Sequence, residues 1–137
     1  MCIRDRDDAA MLKENHLAWA GGVEAAIAAV RASAPWPARV IVEAETEQEA
    51  SKAVIAGADA VLLDEFTPEQ LTTLVPRLRQ LAVERTASGA VILEASGIQP
   101  GDLRTYAATG IDLISTSAPV TRSPWLDLSM RFAPAGG

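Results

Sequence analysis

The chain has 137 residues, 49% of them apolar and 4% aromatic, enough sequence for one domain with a buried core. A net charge of −6 argues against a nucleic-acid or anionic-membrane surface, and the apolar runs are too short to cross a bilayer. The single cysteine, Cys2, excludes an internal disulfide, and without a charged-then-apolar leader at its start the expected location is the cytoplasm.

Residues 1–6, MCIRDR, share no period with the rest of the chain and read as a foreign or frayed start. Ala9–Leu12 is a short apolar strand ending in Lys13, followed by a polar turn, Glu14-Asn15-His16. After Gly21-Gly22, Val23, Ala26, Ile27 and Val30 fall at helical spacing, and Pro35 and Pro37 close that helix. Val40–Val42 and Ala60–Leu63 read as buried strands, each followed by a carboxylate, Glu43 and Asp64. Between them, Thr46 with Glu49 is a capping-box signature, and Gly57 is the helix stop.

Thr67-Pro68-Glu69-Gln70 starts the next helix with a capping box and a proline at its first position. Leu71, Leu74, Val75, Leu78 and Leu81 form its buried stripe, with a kink expected at Pro76. Ser88-Gly89 is a turn, and Ala90–Leu93 is a strand leading into Glu94-Ala95-Ser96-Gly97. Pro100 opens a helix with Leu103, Tyr106 and Ala107 inward and Gly110 at its end. Leu113–Ile114 is a fifth strand, running into Ser115-Thr116-Ser117-Ala118. Trp125–Phe132 alternates as a final strand or packed segment, and residues 133–137 form a loose tail.

These units make residues 7–132 one α/β domain. Gly57-Ala58-Asp59 and Gly110-Ile111-Asp112 precede strands at the same offset, an internal echo of helix–turn–strand repeats. Strands recur every roughly 20–30 residues, near the ~30 per unit of a parallel βα barrel. The expected fold is therefore part of such a barrel. A doubly wound open sheet competes, but its Gly-rich fingerprint after the first strand is absent, since Gly21-Gly22 comes late and lacks the spacing.

In βα barrels the C-terminal ends of the strands converge on one mouth. Here those ends carry Lys13, Glu43, Asp64, Ser96-Gly97 and Ser117-Ala118. The acids suit a divalent metal or sugar hydroxyls, the small turns suit a phosphate, and Lys13 suits an anion. Blander readings stand beside these. A carboxylate after a strand is often a helix cap, and Ser-Gly marks turns generally. His16 either braces the Lys13 turn or does acid–base work, and Trp19, Trp36 and Trp125 suit packing or oligomer contacts. Lys13 at a strand end also suits a Schiff-base nucleophile, so an aldolase-type barrel enzyme and a non-catalytic barrel fragment remain open.

Leu12-Lys13-Glu14-Asn15-His16, Ala20-Gly21-Gly22, Val42-Glu43, Gly57-Ala58-Asp59, Leu62-Leu63-Asp64, Glu94-Ala95-Ser96-Gly97 and Leu126-Asp127-Leu128-Ser129 occur in that order. Together they closely resemble the C-terminal half of the quinolinate phosphoribosyltransferase family, from Asp8 to Phe132. The resemblance implies the C-terminal portion of an α/β barrel, preceded in the family by an α/β sandwich domain, in an assembly of at least two subunits. It implies transfer of phosphoribose from phosphoribosyl pyrophosphate to quinolinate with loss of CO2, giving nicotinate mononucleotide for NAD synthesis, with Mg²⁺.

Carried onto this sequence, Lys13 is the lysine that binds quinolinate, while Glu43 and Asp64 are the acids facing ribose and Mg²⁺, directly or through water. Ser96 with Gly97, and Ser117 with Ala118, are the two phosphate-binding turns. Two departures stand out: the family's Ser-Gly-Gly is Ser96-Gly97-Ile98 here, and the later loop lacks the Gly and His often found there. The family's arginine-rich pocket lies upstream of the residues matched. A half-barrel with an open sheet edge is expected to aggregate and to be inactive by itself.

Overall fold

In the computed structural model, residues 9–85, 90–124, 126 and 128–130 are described. Five parallel strands, β1 (Ala9–Leu12), β2 (Arg39–Ala44), β3 (Ala60–Leu63), β4 (Ile92–Ala95) and β5 (Leu113–Ile114), pair in the order β1-β2-β3-β4-β5. Each strand lies beside its successor with no reversal. A doubly wound sheet reverses at its switch point, so this order excludes that alternative and gives the wall of a βα barrel.

Right-handed crossovers that always step the same way put every connecting helix on one face. Those helices are α1 (Glu14–Ala20), α2 (Val23–Ser33), α3 (Glu47–Ala56), α4 (Pro68–Arg85), α5 (Leu103–Ala107) and α6 (Ala118–Thr121). Alternation along the strands then sorts the side chains. Val40, Val42, Ala44, Val61, Leu63, Leu93 and Ala95 are buried in one core with Ala26 and Ile27 of α2, Ala50, Ala53 and Val54 of α3, and Leu71, Leu74, Val75 and Leu78 of α4. The alternate residues, Lys13, Glu43, Leu62, Glu94 and Leu113, stand side by side on the opposite face. On the flank of that face Ile92 and Leu113 are exposed.

The local signals act as expected at the helix starts. Thr46 Oγ1 accepts the Glu49 N–H at 3.2 Å, Thr67 Oγ1 accepts that of Gln70 at 3.3 Å, and Gln70 Oε1 accepts the Thr67 N–H at 2.8 Å. Gly57, at φ 99°, ends α3 in the left-handed conformation that costs other residues most. α4 continues through Pro76 as one helix.

The echoed Gly-x-Asp turns prove to be two copies of one clamp. Asp59 Oδ2 accepts the Val40 N–H at 2.7 Å and the Arg31 guanidinium at 2.6 Å. Arg31 also donates to the carbonyls of Ala38 (3.3 Å) and Gly57 (3.1 Å). In the second copy Asp112 accepts the Leu93 N–H at 2.8 Å and Arg79 at 2.8 Å, while Arg79 also reaches the carbonyls of Val91 (3.3 Å) and Gly110 (3.1 Å). Each clamp ties a helix's C-terminal half to the start of one strand and the turn before the next. Burial alone pushes the Asp59 carboxyl up. The Val40 N–H, the Arg31 hydrogen bond and the charges of Arg31 and Arg39 outweigh it and hold the group below its ordinary range.

Several expectations need correction. Glu14-Asn15-His16 is the first turn of α1, because Lys13 is already extended and serves as the N-cap. Glu43 lies within β2, since pairing with β3 continues through Glu43 and Ala44. β4 runs Ile92–Ala95, two residues later than expected, which places Glu94 inside the strand. Leu103 and Ala107 are exposed; a five-residue helix after a 3-10 turn turns only Tyr106 toward the core, its hydroxyl donating to the Phe66 carbonyl at 3.0 Å. Trp19 and Trp36 are 92% and 94% exposed, so neither packs against the described residues. Leu126, Leu128 and Met130 are exposed and outside any strand. Trp125, Ser88-Gly89, residues 1–6 and residues 133–137 lie outside the described residues.

Candidate active site

The parallel register gathers the C-terminal ends of the strands at one edge. Leu12 pairs with Val42, so Lys13 stands beside Glu43. Leu63 pairs with both Ala44 and Ala95, and Ala95 with Ile114, so Asp64, Ser96 and Ser115 form the next row. Backbone bonds continue the ladder past the strands: Asp64 N–H to the Ala44 carbonyl at 3.1 Å, Ser96 N–H to Leu63 at 3.1 Å, and Ser115 N–H to Ala95 at 2.8 Å. Lys13, Glu43, Asp64 and Ser96 therefore share one mouth on adjacent strands.

Lys13 Nζ lies 2.5 Å from Glu43 Oε2 in an ion pair. The Glu43 side chain is 10% exposed and that of Lys13 38%, so the acid is the buried partner. Oε2 gains the ammonium's charge without a well-directed hydrogen bond. His16 Nδ1 accepts the Lys13 N–H at 3.1 Å, bracing the turn that aims the lysine, as one of the two readings of His16 expected.

Asp64 follows β3, and among the described residues its carboxylate has no hydrogen bond or ion pair. Glu65, next in the chain, is the one non-glycine with positive φ (59°) among the described residues, a conformation costing about 1 kcal/mol or more. Gly97 (φ 75°) crosses in front of this acid, and a Cβ built there would lie 3.8 Å from Asp64 Oδ1. Ile98, where the family has a second glycine, is buried and packs into the core. Ser117 is the exposed N-cap of α6, and the Ala118 N–H already donates to Thr116 Oγ1 at 3.2 Å. Acids ring the rim: slight desolvation, then the charges of Glu14, Glu49, Asp64 and Glu65, raise the Glu45 carboxyl above its ordinary range.

Two contributors escaped the sequence reading. Glu94 is buried on the mouth-facing side of β4, and the Ser115 hydroxyl donates to its Oε1. Their signals were present: a lone acid inside the apolar run Val91-Ile92-Leu93-Glu94-Ala95, and a serine directly after Ile114.

Among the described residues no group of three or more His, Cys, Asp or Glu is placed to hold a metal ion. Mg²⁺ commonly takes only one or two carboxylates and completes its shell with water and substrate phosphates. Asp64, with no competing cation, and Glu43 beside Lys13 fit that donor set better than a closed protein cage.

A singly wound parallel wall with a lysine, two acids and hydroxyl-bearing turns at its C-terminal edge defines a segment of a βα-barrel enzyme domain. The comparisons with known proteins then specify which kind. Residues 4–131 match the family described as "Quinolinate phosphoribosyl transferase, C-terminal domain", and the chain belongs to that family. It is 38% identical over 127 residues to a probable carboxylating nicotinate-nucleotide pyrophosphorylase from Synechocystis, covering 92% of this chain and 41% of that protein. The human carboxylating nicotinate-nucleotide pyrophosphorylase is 40% identical over 126 residues, covering 89% of this chain and 39% of that protein. Among solved structures, NadC from Streptococcus pyogenes superposes with a TM-score of 0.74 at 32% identity, covering 93% of this chain and 42% of that one. The chain thus spans about two-fifths of the length of the curated relatives it matches. No helix among the described residues is long and apolar enough to cross a membrane.

Proposed function

We propose that this chain is the C-terminal part of a quinolinate phosphoribosyltransferase, which moves phosphoribose from phosphoribosyl pyrophosphate to quinolinate and releases CO2 and pyrophosphate. The observation that carries the reading is the gathering of Lys13, Glu43, Asp64 and Ser96 on adjacent strand ends. Lys13 holds a carboxylate of quinolinate. Such an anion takes over the charge now paired with Glu43, and the released carboxylate turns to the ribose. As pyrophosphate departs, positive charge develops on the sugar ring, and the carboxylates of Glu43 and Asp64 stabilise it. Ser96-Gly97 and Ser117-Ala118 receive phosphate oxygens. Asp64 and Glu43 would hold a Mg²⁺ ion directly or through water, and it would supply charge neutralisation for the leaving group. Decarboxylation then needs little from the protein, because the quaternary ring nitrogen is the electron sink. A cytoplasmic enzyme working as a dimer or larger assembly is part of the same proposal, and the two bare tryptophans, Trp19 and Trp36, are in keeping with it.

The test uses the protein extended to the length of its relatives, with nicotinate mononucleotide and pyrophosphate measured directly. Glu43→Ala and Asp64→Ala are expected to lower kcat far more than they weaken quinolinate binding. Unchanged turnover in both variants refutes the assignment, and borohydride trapping of a carbonyl substrate on Lys13 establishes the aldolase alternative instead.

A further inference from the structure

We propose that Glu94 is a positioning residue that fixes the Ser115-Thr116-Ser117 turn for phosphate, an inference resting on the phosphoribosyltransferase reading of this site. Glu94 is 3% exposed, in mid-strand, flanked in register by Leu62 and Leu113 on the face that bears Lys13 and Glu43. A carboxylate is costly to place there unless its oxygens are hydrogen-bonded. One bond is made by the Ser115 hydroxyl, which donates to Oε1.

That bond falls where the fold offers least support. β5 has two residues, Leu113 and Ile114, so its ladder with β4 is short, and Leu113 is exposed. Ser115 is instead held at two points, its N–H on the Ala95 carbonyl at 2.8 Å and its hydroxyl on Glu94. Rigidity is handed on from there. Thr116 Oγ1 accepts the Ala118 N–H, and the Ser117 carbonyl accepts the N–H groups of Val120 and Thr121, each at 2.9 Å. Hydrogen bonds thus hold successive residues, Ser115, Thr116 and Ser117, between the interior of β4 and the start of α6. A second negative charge would repel a phosphate, so the role assigned to Glu94 is that of a strong, fixed acceptor and not of a charge felt by the substrate.

Glutamine retains a carbonyl acceptor at the same reach, whereas alanine removes it, and this separates the two roles. In the extended protein, Glu94→Ala and Ser115→Ala are each expected to raise KM for phosphoribosyl pyrophosphate about tenfold, the scale of one lost hydrogen bond. kcat and KM for quinolinate stay near the parent values. Glu94→Gln restores most of the loss, and the double alanine variant is no worse than either single one. Hydrogen exchange reads the same point without any reaction: amides 115 and 118, bonded to the Ala95 carbonyl and Thr116 Oγ1, exchange faster in Glu94→Ala and Ser115→Ala, recover in Glu94→Gln, and those of Asp64 and Ser96 do not change.

Loss of kcat and thermal stability with KM unmoved, additive single effects, or Glu94→Gln behaving like Glu94→Ala each overturn the proposal. If Glu94→Ala does not fold, Ser115→Ala and Glu94→Gln carry the decision. A parent protein that makes no nicotinate mononucleotide yet shows the exchange pattern refutes the phosphoribosyltransferase reading and keeps the positioning role. An unresponsive turn refutes the positioning role whatever the activity.

Discussion

Truncating the Lys13–Glu43 pair from either side is expected to give unequal costs, because its two ends sit in different solvents. Fully exposed ion pairs contribute about 0.2–1 kcal/mol. Breaking a buried pair by deleting one partner costs about 3–5 kcal/mol, since the remaining charge stays buried alone. Glu43 is nine-tenths buried, while Lys13 keeps more than a third of its side chain in water. Lys13→Met strands the carboxylate where it has no hydrogen bond to Oε2, and is expected to cost about 2–3 kcal/mol. Glu43→Gln leaves an ammonium that swings into solvent, and should cost about 1 kcal/mol. The double variant should resemble Glu43→Gln, giving a coupling of about 2–3 kcal/mol.

The assay is urea unfolding followed by circular dichroism at neutral pH, at low protein concentration because β1 and β5 are edge strands among the described residues. Added salt should trim the coupling without abolishing it, since one partner is shielded from ions. Equal single costs, or a double variant equal to their sum, would refute the assignment of Glu43 as the buried partner.

Three further outcomes rest on the same geometry. Asp59 is held below its ordinary range, so its stabilisation is complete above the unfolded value and is lost as pH falls through the folded one; Asp59→Asn should lower the urea midpoint near neutrality, by an amount that vanishes on acidification. Glu45 is raised, so its ionisation opposes folding: stability is full below the unfolded value and falls as pH rises through the folded one. Glu45→Gln should therefore raise the midpoint at neutral pH, less so in high salt, and leave it unchanged in acid. Gly97→Ala should cost about 1–2 kcal/mol from its positive φ, the added methyl meeting only ordinary contact with Asp64, whereas Glu65→Gly should relieve backbone strain and raise the midpoint. Matching changes in thermal midpoint check both.

The order of elements was legible because each depends on neighbours in the chain. Thr46 with Glu49, Thr67 with Gln70, Gly57 and Gly110 act within one or two helical turns, and short apolar runs bounded by turn residues, such as Ala60–Leu63, favour buried strands. Strand limits were less legible: Glu43 and Glu94 read as chain leaving the sheet, since a carboxylate in an apolar run marks an end when only sequence is seen. Pairing with Leu62 and Leu113 keeps both inside the sheet, and each acid has found a partner there, Lys13 for one and Ser115 for the other.

By itself, the sequence determined the parallel βα repeat, the helix caps, and the residue types presented at the strand ends, all consequences of local propensity and hydrophobic period. Only the tertiary structure decided that the sheet is wound in one direction, that Lys13 neutralises Glu43 while Asp64 has no paired cation among the described residues, and that Glu94 joins the mouth through Ser115. The physical reason is range. Caps and periodicity act over a few residues, whereas these contacts join residues far apart in sequence, and their energies depend on the distance and burial that only packing sets.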